Sequence, residues 1–123
     1  ASKGSPDGLP EFSFILVGWG AGSGEASSPL KALIHTNDPD KGYGATNRGR
    51  HSSPEIDAVI QEALATVDDA KRQDLLAKAT EMAMENVAII PTHFQVNTWG
   101  AKKGLRYIPR TDEYTLAIGV VKE

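Results

Sequence analysis

The sequence predicts a mixed fold, α+β or irregular α/β, in which a helix hairpin packs on a small mixed sheet, and three observations lead to this prediction. Two successive stretches, 54–67 and 69–83, carry apolar residues at helical spacing. Short runs of aromatic and β-branched residues, bounded by turn-forming residues, are typical of strands. Helices and strands do not alternate regularly along the chain, so a regular series of βαβ units is not expected.

The first predicted elements are a strand, a short helix and a long loop. An aromatic and β-branched run that ends at a series of glycines predicts a buried strand over 11–18. Ser28 followed by Pro29 is typical of a helix N-cap and first helical position, which predicts a helix over 28–35. Residues 36–53 are rich in Asn, Asp, Gly and Ser, and loops of this length are often functional.

A helix hairpin is the strongest structural signal. Ser52 and Glu55 have the spacing of a capping box at the first helix, and Asp68 or Asp69 caps the second. Because the connection between the two helices is short, we expect them to pack antiparallel. The two apolar stripes are Ile56, Val59, Ile60, Ala63, Leu64 and Val67, then Arg72, Leu75, Leu76, Ala79, Met82 and Ala83. The residues expected to be most buried, in a core shared with the first strand, are Leu64, Leu75 and Ile60.

Three more strands are predicted after the hairpin. Residues 87–90 form an apolar run, residues 94–99 alternate in polarity, and residues 114–121 are predicted to form the last strand. A turn is predicted at 102–104, where two lysines precede a glycine.

Composition excludes several classes of function. The 123 residues correspond to about one domain, and their formal net charge of −3 comes without a basic stripe. We therefore expect no nucleic-acid partner. The absence of cysteine excludes disulfides, thiol catalysis and cysteine-based zinc sites. No run of about 18 apolar residues that would span a membrane occurs.

Known chemical motifs do not fit the residues that at first suggest them. The glycines from Gly18 onward lack the spacing of a dinucleotide fingerprint, and Ser23 lacks the flanking glycines of a nucleophile elbow. Residues 38–42 begin like a calcium loop but have glycine at the third ligand position, which favours a solvated turn. The three histidines, His35, His51 and His93, are dispersed. We expect no catalytic residue, no metal site and no cofactor.

Several motifs, taken in order, resemble the C-terminal part of the extracytoplasmic solute-binding proteins of ABC transporters. They are Trp19, Asn47, Ser53-Pro54-Glu55-Ile56-Asp57, Asp69 with Arg72 and Leu75, and Ile90-Pro91 with Phe94. More narrowly, they resemble the dipeptide/oligopeptide-binding family (family 5). This resemblance covers about residues 11–121. It implies a two-lobed protein that closes on its ligand about a hinge, and a location in the periplasm or at a lipid anchor.

The resemblance also implies the role of this chain and its partners. Residues 1–123 would be a single C-terminal fragment, with residues 1–10 as a loop or frayed end, that supplies part of the second lobe. The start of the chain, without Met or a signal-peptide apolar region, is expected of a fragment or a processed chain. The intact protein would bind a peptide or other small solute and meet ABC permease subunits. A homodimer of the fragment is also expected, because a lobe without its partner exposes apolar surface.

The candidate ligand contacts combine residue chemistry with the resemblance. Trp19, an aromatic residue beside flexible glycines, is suited to stack on a ligand. Backbone groups of Gly20, Ala21, Gly22 and Ser23 are further candidates, as are Asn47 and Arg48. The positions of Asp57 and Arg72 are expected to be structural. Trp99 is expected to pack within the fold.

The chain departs from the family three residues after the tryptophan. Peptide-binding members often have an Asp three residues after the tryptophan, where it pairs with the peptide α-amino group, whereas this chain has Gly22. We therefore expect that no free α-amino group is held here, unless Glu25 replaces that Asp.

Two other functions are alternatives to a solute-binding protein. One is a small hydrolase or transferase that uses His51 or His93 with a carboxylate, and the other is a purely structural interaction domain.

Overall fold

The computed structural model describes residues 12–123, which fall into two compact units, one ending at Ile90 and the other spanning Pro91–Glu123. The first unit contains a helical turn, Ser27–Pro29 (α1), continued by a π-helical turn, Leu30–Ile34, and two longer helices. These are Pro54–Ala65 (α2) and Asp69–Glu85 (α3). The second unit contains the strands Leu105–Tyr107 (β1) and Val120–Lys122 (β2), with a 3₁₀ turn at Ala117–Gly119. The predicted mixed α+β class is confirmed.

The helix predicted over 28–35 is present, but its start differs from the prediction. The N-cap is Ala26, without a side-chain cap, and Ser28 lies inside the first turn. The π-helical turn ends at Ile34, where the backbone N–H of His35 donates to the carbonyl of Leu30 at 2.9 Å. None of the helices within residues 12–123 is long and apolar enough to cross a membrane.

Both helices of the predicted hairpin are confirmed, and each begins at a side-chain cap. Ser53 Oγ accepts from the backbone N–H of Ile56 at 3.4 Å, so the capping-box prediction placed the cap one residue too early, at Ser52. Proline favours the first helical position, and Pro54 therefore makes the preceding residue the N-cap. At α3, Asp68 Oδ1 accepts from the N–H of Lys71 at 2.8 Å. The two helices pack against each other across a three-residue connection.

The hydrophobic core lies between the hairpin and the helical segment before it. Its buried apolar residues are Leu30, Ile34, Ile56, Ile60, Ala63, Leu76, Ala79 and Ala83. The prediction was correct for Ile60, which is 0% exposed, but Leu64 and Leu75 are only partly buried at the edge of the core. The small residues Ala79 and Ala83 occupy the centre of the α3 face, which allows close helix packing and leaves the larger leucines at the rim.

Three of the predicted strands are wrong. Of the strand predicted over 11–18, residue 11 lies outside the described residues, and residues 12–18 form no strand. Phe14 and Leu16 in this segment are exposed, so it does not share the core. Residues 94–99 form no strand either, and Phe94 is 98% exposed. A strand needs a neighbour to accept and donate its backbone hydrogen bonds, and within residues 12–123 neither segment has one.

The predicted strand over 87–90 is instead the C-terminal cap of α3. The N–H of Val87 donates to the carbonyl of Met84, and the N–H of Ala88 donates to that of Ala83, both at 3.0 Å. Val87 has φ of +52°, so these bonds form a Schellman motif with valine where glycine is usual. Val87 and Ala88 thus satisfy carbonyls of the last helical turn, and residues 87–90 form no strand.

The second unit is built on a small antiparallel sheet. The predicted turn is confirmed, because the N–H of Leu105 donates to the carbonyl of Lys102 at 2.9 Å and Gly104 has φ of +86°. It leads into β1, which was not predicted and which pairs Leu105 with Lys122 and Tyr107 with Val120. Only the end of the strand predicted over 114–121 lies in β2.

Trp99 packs within the second unit, as expected. Its Nε1 donates to Thr115 Oγ1 at 3.0 Å, and its ring lies 5.1 Å from the ring of Tyr107. The Tyr107 hydroxyl donates to the carbonyl of Tyr114 at 2.9 Å. Aromatic packing and these polar bonds support a sheet of only three residues per strand.

Candidate ligand-binding loops

Residues 19–24, which we call the glycine loop, have the exposure that a ligand contact requires. Trp19 is 42% exposed, and every residue from Gly20 to Gly24 is exposed. A turn closes the loop, with the N–H of Gly24 donating to the carbonyl of Ala21 at 2.9 Å. Within residues 12–123, the backbone N–H groups of Gly20 to Ser23 donate to no protein acceptor. The loop therefore offers an aromatic face and several backbone donors that meet no acceptor in the described part of the chain.

An ion pair fixes the residue that follows the glycine loop. Both carboxylate oxygens of Glu25 accept from Arg72, Oε2 from Nε at 3.1 Å and Oε1 from Nη2 at 2.5 Å. The third guanidinium nitrogen, Nη1, donates to the carbonyl of Ala63 at 2.9 Å, in the last turn of α2. The hydrogen bonds from Arg72, and secondarily one from Ser27, lower the pKa of Glu25 to about 2. These contacts agree with the structural role expected of Arg72.

The loop of residues 36–53 begins with the predicted turn. Asp38 and Tyr43 exchange two backbone hydrogen bonds at 3.0 Å. Asp38 Oδ1 accepts from the N–H of Lys41 at 3.2 Å, and this bond lowers the pKa of Asp38. The carboxylate thus serves the turn itself. Within residues 12–123 no group of three potential ligands among His, Cys, Asp and Glu is placed to hold a metal ion.

Asn47 is a buried clamp of the same loop. Its Nδ2 donates to the carbonyls of His35 at 3.0 Å and His51 at 2.7 Å, while its Oδ1 accepts from the N–H of His51 at 3.1 Å. Both amide protons are therefore used inside the protein. A direct contact of Asn47 with a ligand stays a prediction. An N–H of its side-chain amide could bind a ligand only after it gives up its hydrogen bond to His35 or His51. The neighbouring Arg48 is half-buried, and its guanidinium has no hydrogen-bond partner within residues 12–123.

The predicted ligand contacts fall into two groups. The glycine loop precedes Ser27, whereas Asn47 is bonded to His35, which follows the other end of the helical segment. The helical segment Ser27–Ile34 lies between the two groups along the chain. Trp19 and Gly20 to Ser23 thus lie on one loop, whereas Asn47 and Arg48 lie on another, after the helical segment.

Among the described residues, neither of the two histidines of the enzyme alternative, His51 and His93, pairs with a carboxylate. His51 Nδ1 lies 3.4 Å from the carbonyl of Ile34, and the exposed His93 contacts Thr92 Oγ1 at 3.0 Å. Within residues 12–123 neither histidine contacts a carboxylate. The hydrolase or transferase alternative is not supported.

His35 was not singled out as a polar core residue by its sequence, yet it is the buried histidine. Its ring stacks on Tyr43 at 4.1 Å, its Nδ1 donates to the carbonyl of Thr36 at 2.8 Å, and its Nε2 accepts from the Gln61 amide at 2.9 Å. Asp57 Oδ1 lies 3.5 Å from Nδ1 and accepts from the N–H of Thr36 at 2.9 Å. These contacts tie the loop to α2, and they agree with the structural role expected of Asp57.

Comparisons with known proteins extend the resemblance seen in the sequence. The chain is 29% identical over 86 residues to the periplasmic oligopeptide-binding protein OppA of Salmonella typhimurium, and 28% identical over 86 residues to that of Escherichia coli. Each match covers 70% of this chain and 14% of the relative, so the chain spans a small part of those proteins. No family model matches the chain, and no solved structure does. The mixed α+β fold is consistent with part of one lobe of a periplasmic-binding-protein fold.

Proposed function

We propose that this chain is part of the solute-binding component of an ABC import system. That protein would capture a peptide or other small solute outside the cytoplasmic membrane, in the periplasm or at a lipid anchor, and would deliver it to permease subunits without chemistry. The observation that carries the proposal is the similarity to two periplasmic oligopeptide-binding proteins over 70% of the chain. The chain would supply a C-terminal part of the second lobe of a family 5 protein.

The glycine loop is the ligand contact in this proposal. A planar or apolar part of the solute stacks on Trp19, and carbonyl or carboxylate oxygens accept from the exposed backbone N–H groups of Gly20 to Ser23. The exposure of all these groups on one short loop supports this assignment. The nearest side-chain carboxylate along the chain, Glu25, is already paired with Arg72.

The charge arrangement favours a ligand group that accepts hydrogen bonds over an α-ammonium group. Gly22 has no side chain, and a buried ammonium without a partner is costly. On the intact protein, calorimetry with a panel of short peptides, free and N-acetylated, should therefore give similar affinities. Free peptides that bind more than about tenfold more tightly, a difference of about 1.4 kcal/mol, would contradict this specificity.

Replacing Trp19 tests the proposed site itself. In the intact protein, Trp19→Ala should weaken the binding of a peptide that binds the wild type by about tenfold, because stacking and buried area are lost. Phe14→Ala is the matched control, since it removes another exposed aromatic residue of the same segment. If Trp19→Ala has no larger effect than Phe14→Ala, the glycine loop is not the contact. If the wild type binds none of the peptides or small solutes offered, the proposed function is wrong.

A further inference from the structure

The ion pair between Glu25 and Arg72 joins three parts of the first unit at one point. The guanidinium meets the carboxylate through two nitrogens, which is the geometry that a planar fork favours. Its remaining nitrogen satisfies the carbonyl of Ala63 near the end of α2, while Arg72 itself lies near the start of α3. The side chains are 22% exposed for Arg72 and 35% for Glu25, so the pair is only partly open to water.

The position of Glu25 gives this pair a consequence for the glycine loop. Among residues 12–25, Glu25 is the first whose side chain makes a hydrogen bond to another element. It follows Gly24, whose φ of +72° is left-handed backbone that favours glycine. Within the described part of the chain, the loop before it is held by a single internal turn. The fork therefore fixes the C-terminal end of the glycine loop to the helix hairpin.

We propose that Glu25 and Arg72 are positioning residues of the glycine loop, which hold its C-terminal end on the corner between α2 and α3 and so order it before a ligand arrives. This inference rests on the proposed function, because it assigns the pair to the affinity of that same site. A loop that is ordered in advance loses less conformational freedom on binding, and the ligand is bound more tightly. Neither residue touches the ligand, and the specificity stays with Trp19 and the backbone donors.

A neighbouring ion pair provides the matched control. Lys71 precedes Arg72 in α3, and its Nζ contacts Glu62 Oε1 at 2.8 Å, with both side chains more than half exposed. This pair joins the same two helices and does not involve the glycine loop. If the ion pairs only stabilise the hairpin electrostatically, the loss of either pair should have the same effect. If the fork positions the glycine loop, only the loss of Glu25 or Arg72 should affect the loop.

The test uses two measurements on the intact protein. The first is the rate of chymotrypsin cleavage after Trp19, followed by mass spectrometry, since cleavage requires the loop to open locally. Glu25→Gln and Arg72→Lys should each raise this rate by about two- to fivefold, and Lys71→Gln should leave it unchanged. The second is the affinity for a peptide that binds the wild type, which should fall by a similar factor in the first two variants only. Arg72→Lys keeps the charge but loses the fork, so its effect should be the smaller one.

The outcomes separate the inference from the proposed function. If cleavage and affinity in Glu25→Gln match those in Lys71→Gln, the positioning role is wrong while the binding function stands. If cleavage accelerates but affinity does not change, the pair orders the loop without serving the ligand, and the inference is overturned. If the wild type binds no peptide or small solute, the proposed function fails. If in addition Glu25→Gln and Arg72→Lys are cleaved at the wild-type rate, the claim that the pair orders the glycine loop is wrong as well.

Discussion

The helix hairpin and residues 12–18 are both rich in apolar side chains, but only the hairpin buries them. Ile56 and Ile60 on α2 are fully buried, whereas Phe14 and Leu16 are exposed. A helix completes its own backbone hydrogen bonds within each turn, and its apolar face then needs only another helix. An extended segment must find a strand beside it before its side chains can form a sheet face. Apolar patterning thus predicts burial most safely where the backbone is satisfied locally.

The largest difference between these regions should appear when a large side chain is removed from each. Ile60→Ala should lower the free energy of unfolding of the chain by about 2–5 kcal/mol, because the shorter side chain leaves a cavity in the buried core. Phe14→Ala, in residues 12–18, removes a ring that is 71% exposed and should change it by less than about 0.5 kcal/mol. Urea denaturation followed by circular dichroism measures both. Equal effects would show that the core has been misplaced.

The helix hairpin was predictable because its signals are local. Residues 56, 60 and 63 repeat at helical spacing, and Ser53-Pro54 and Asp68 mark the helix starts. Two local signals disagreed on the exact cap, since the capping-box spacing indicates Ser52 whereas the preference of proline for the first helical position indicates Ser53, and the structure has Ser53. The strands were not predictable because pairing depends on distant residues. The three-residue β1 is an example, since its partner Val120–Lys122 begins 13 residues beyond Tyr107 along the chain.

The candidate site was predictable only as residue types. An exposed tryptophan beside glycines can be read from the sequence, but the pairing of Glu25 with Arg72 joins residues 47 positions apart. In the same way, nothing near Asn47 in the sequence shows that its amide closes on His35 and His51. Long-range polar contacts such as these require the fold, because side chains far apart in sequence meet only after the helices pack.

Glycine substitutions compare an ordered loop with the exposed glycine loop. Gly44 has φ of +59°, and a Cβ there would lie 2.5 Å from the carbonyl oxygen of His35 and 2.7 Å from Asn37 Cα. Gly44→Ala should therefore lower the free energy of unfolding by about 1–3 kcal/mol. At Gly22 a Cβ meets nothing within 4 Å, so Gly22→Ala should have little effect. Denaturation by urea separates them, and a tolerated Gly44→Ala would contradict the described geometry of residues 36–53.

A smaller effect distinguishes the two serines at the start of α2. Ser53→Ala removes the N-cap acceptor and should lower the free energy of unfolding by about 0.5–1 kcal/mol, since the hydrogen bond is long at 3.4 Å. Ser52→Ala removes an exposed hydroxyl contact with Thr36 Oγ1 and should change it by less than about 0.5 kcal/mol. Thermal or urea unfolding can show which of the two substitutions lowers the free energy of unfolding more. The reverse order would restore Ser52 as the cap that the capping-box spacing predicted.

The smallest expected effect is the loss of stability at low pH that comes from protonation of Glu25 in its ion pair with Arg72. The pKa of Glu25 is lowered from 4.5 to about 2, mainly by its hydrogen bonds to Arg72. A carboxylate with a lowered pKa in the folded state stabilises the fold fully above its unfolded pKa, and this contribution disappears as the pH falls through the folded pKa. The stability advantage of the wild type over Glu25→Gln should thus be constant from pH 7 to about pH 5. It should decline between pH 4.5 and about 2. Urea denaturation at a series of pH values measures the decline, and in an Arg72→Gln background it should become much weaker because the main cause of the shift is gone. An advantage that does not change with pH across this range would mean that the pKa of Glu25 is the same in the folded and unfolded states and that the fork does not hold the loop in solution.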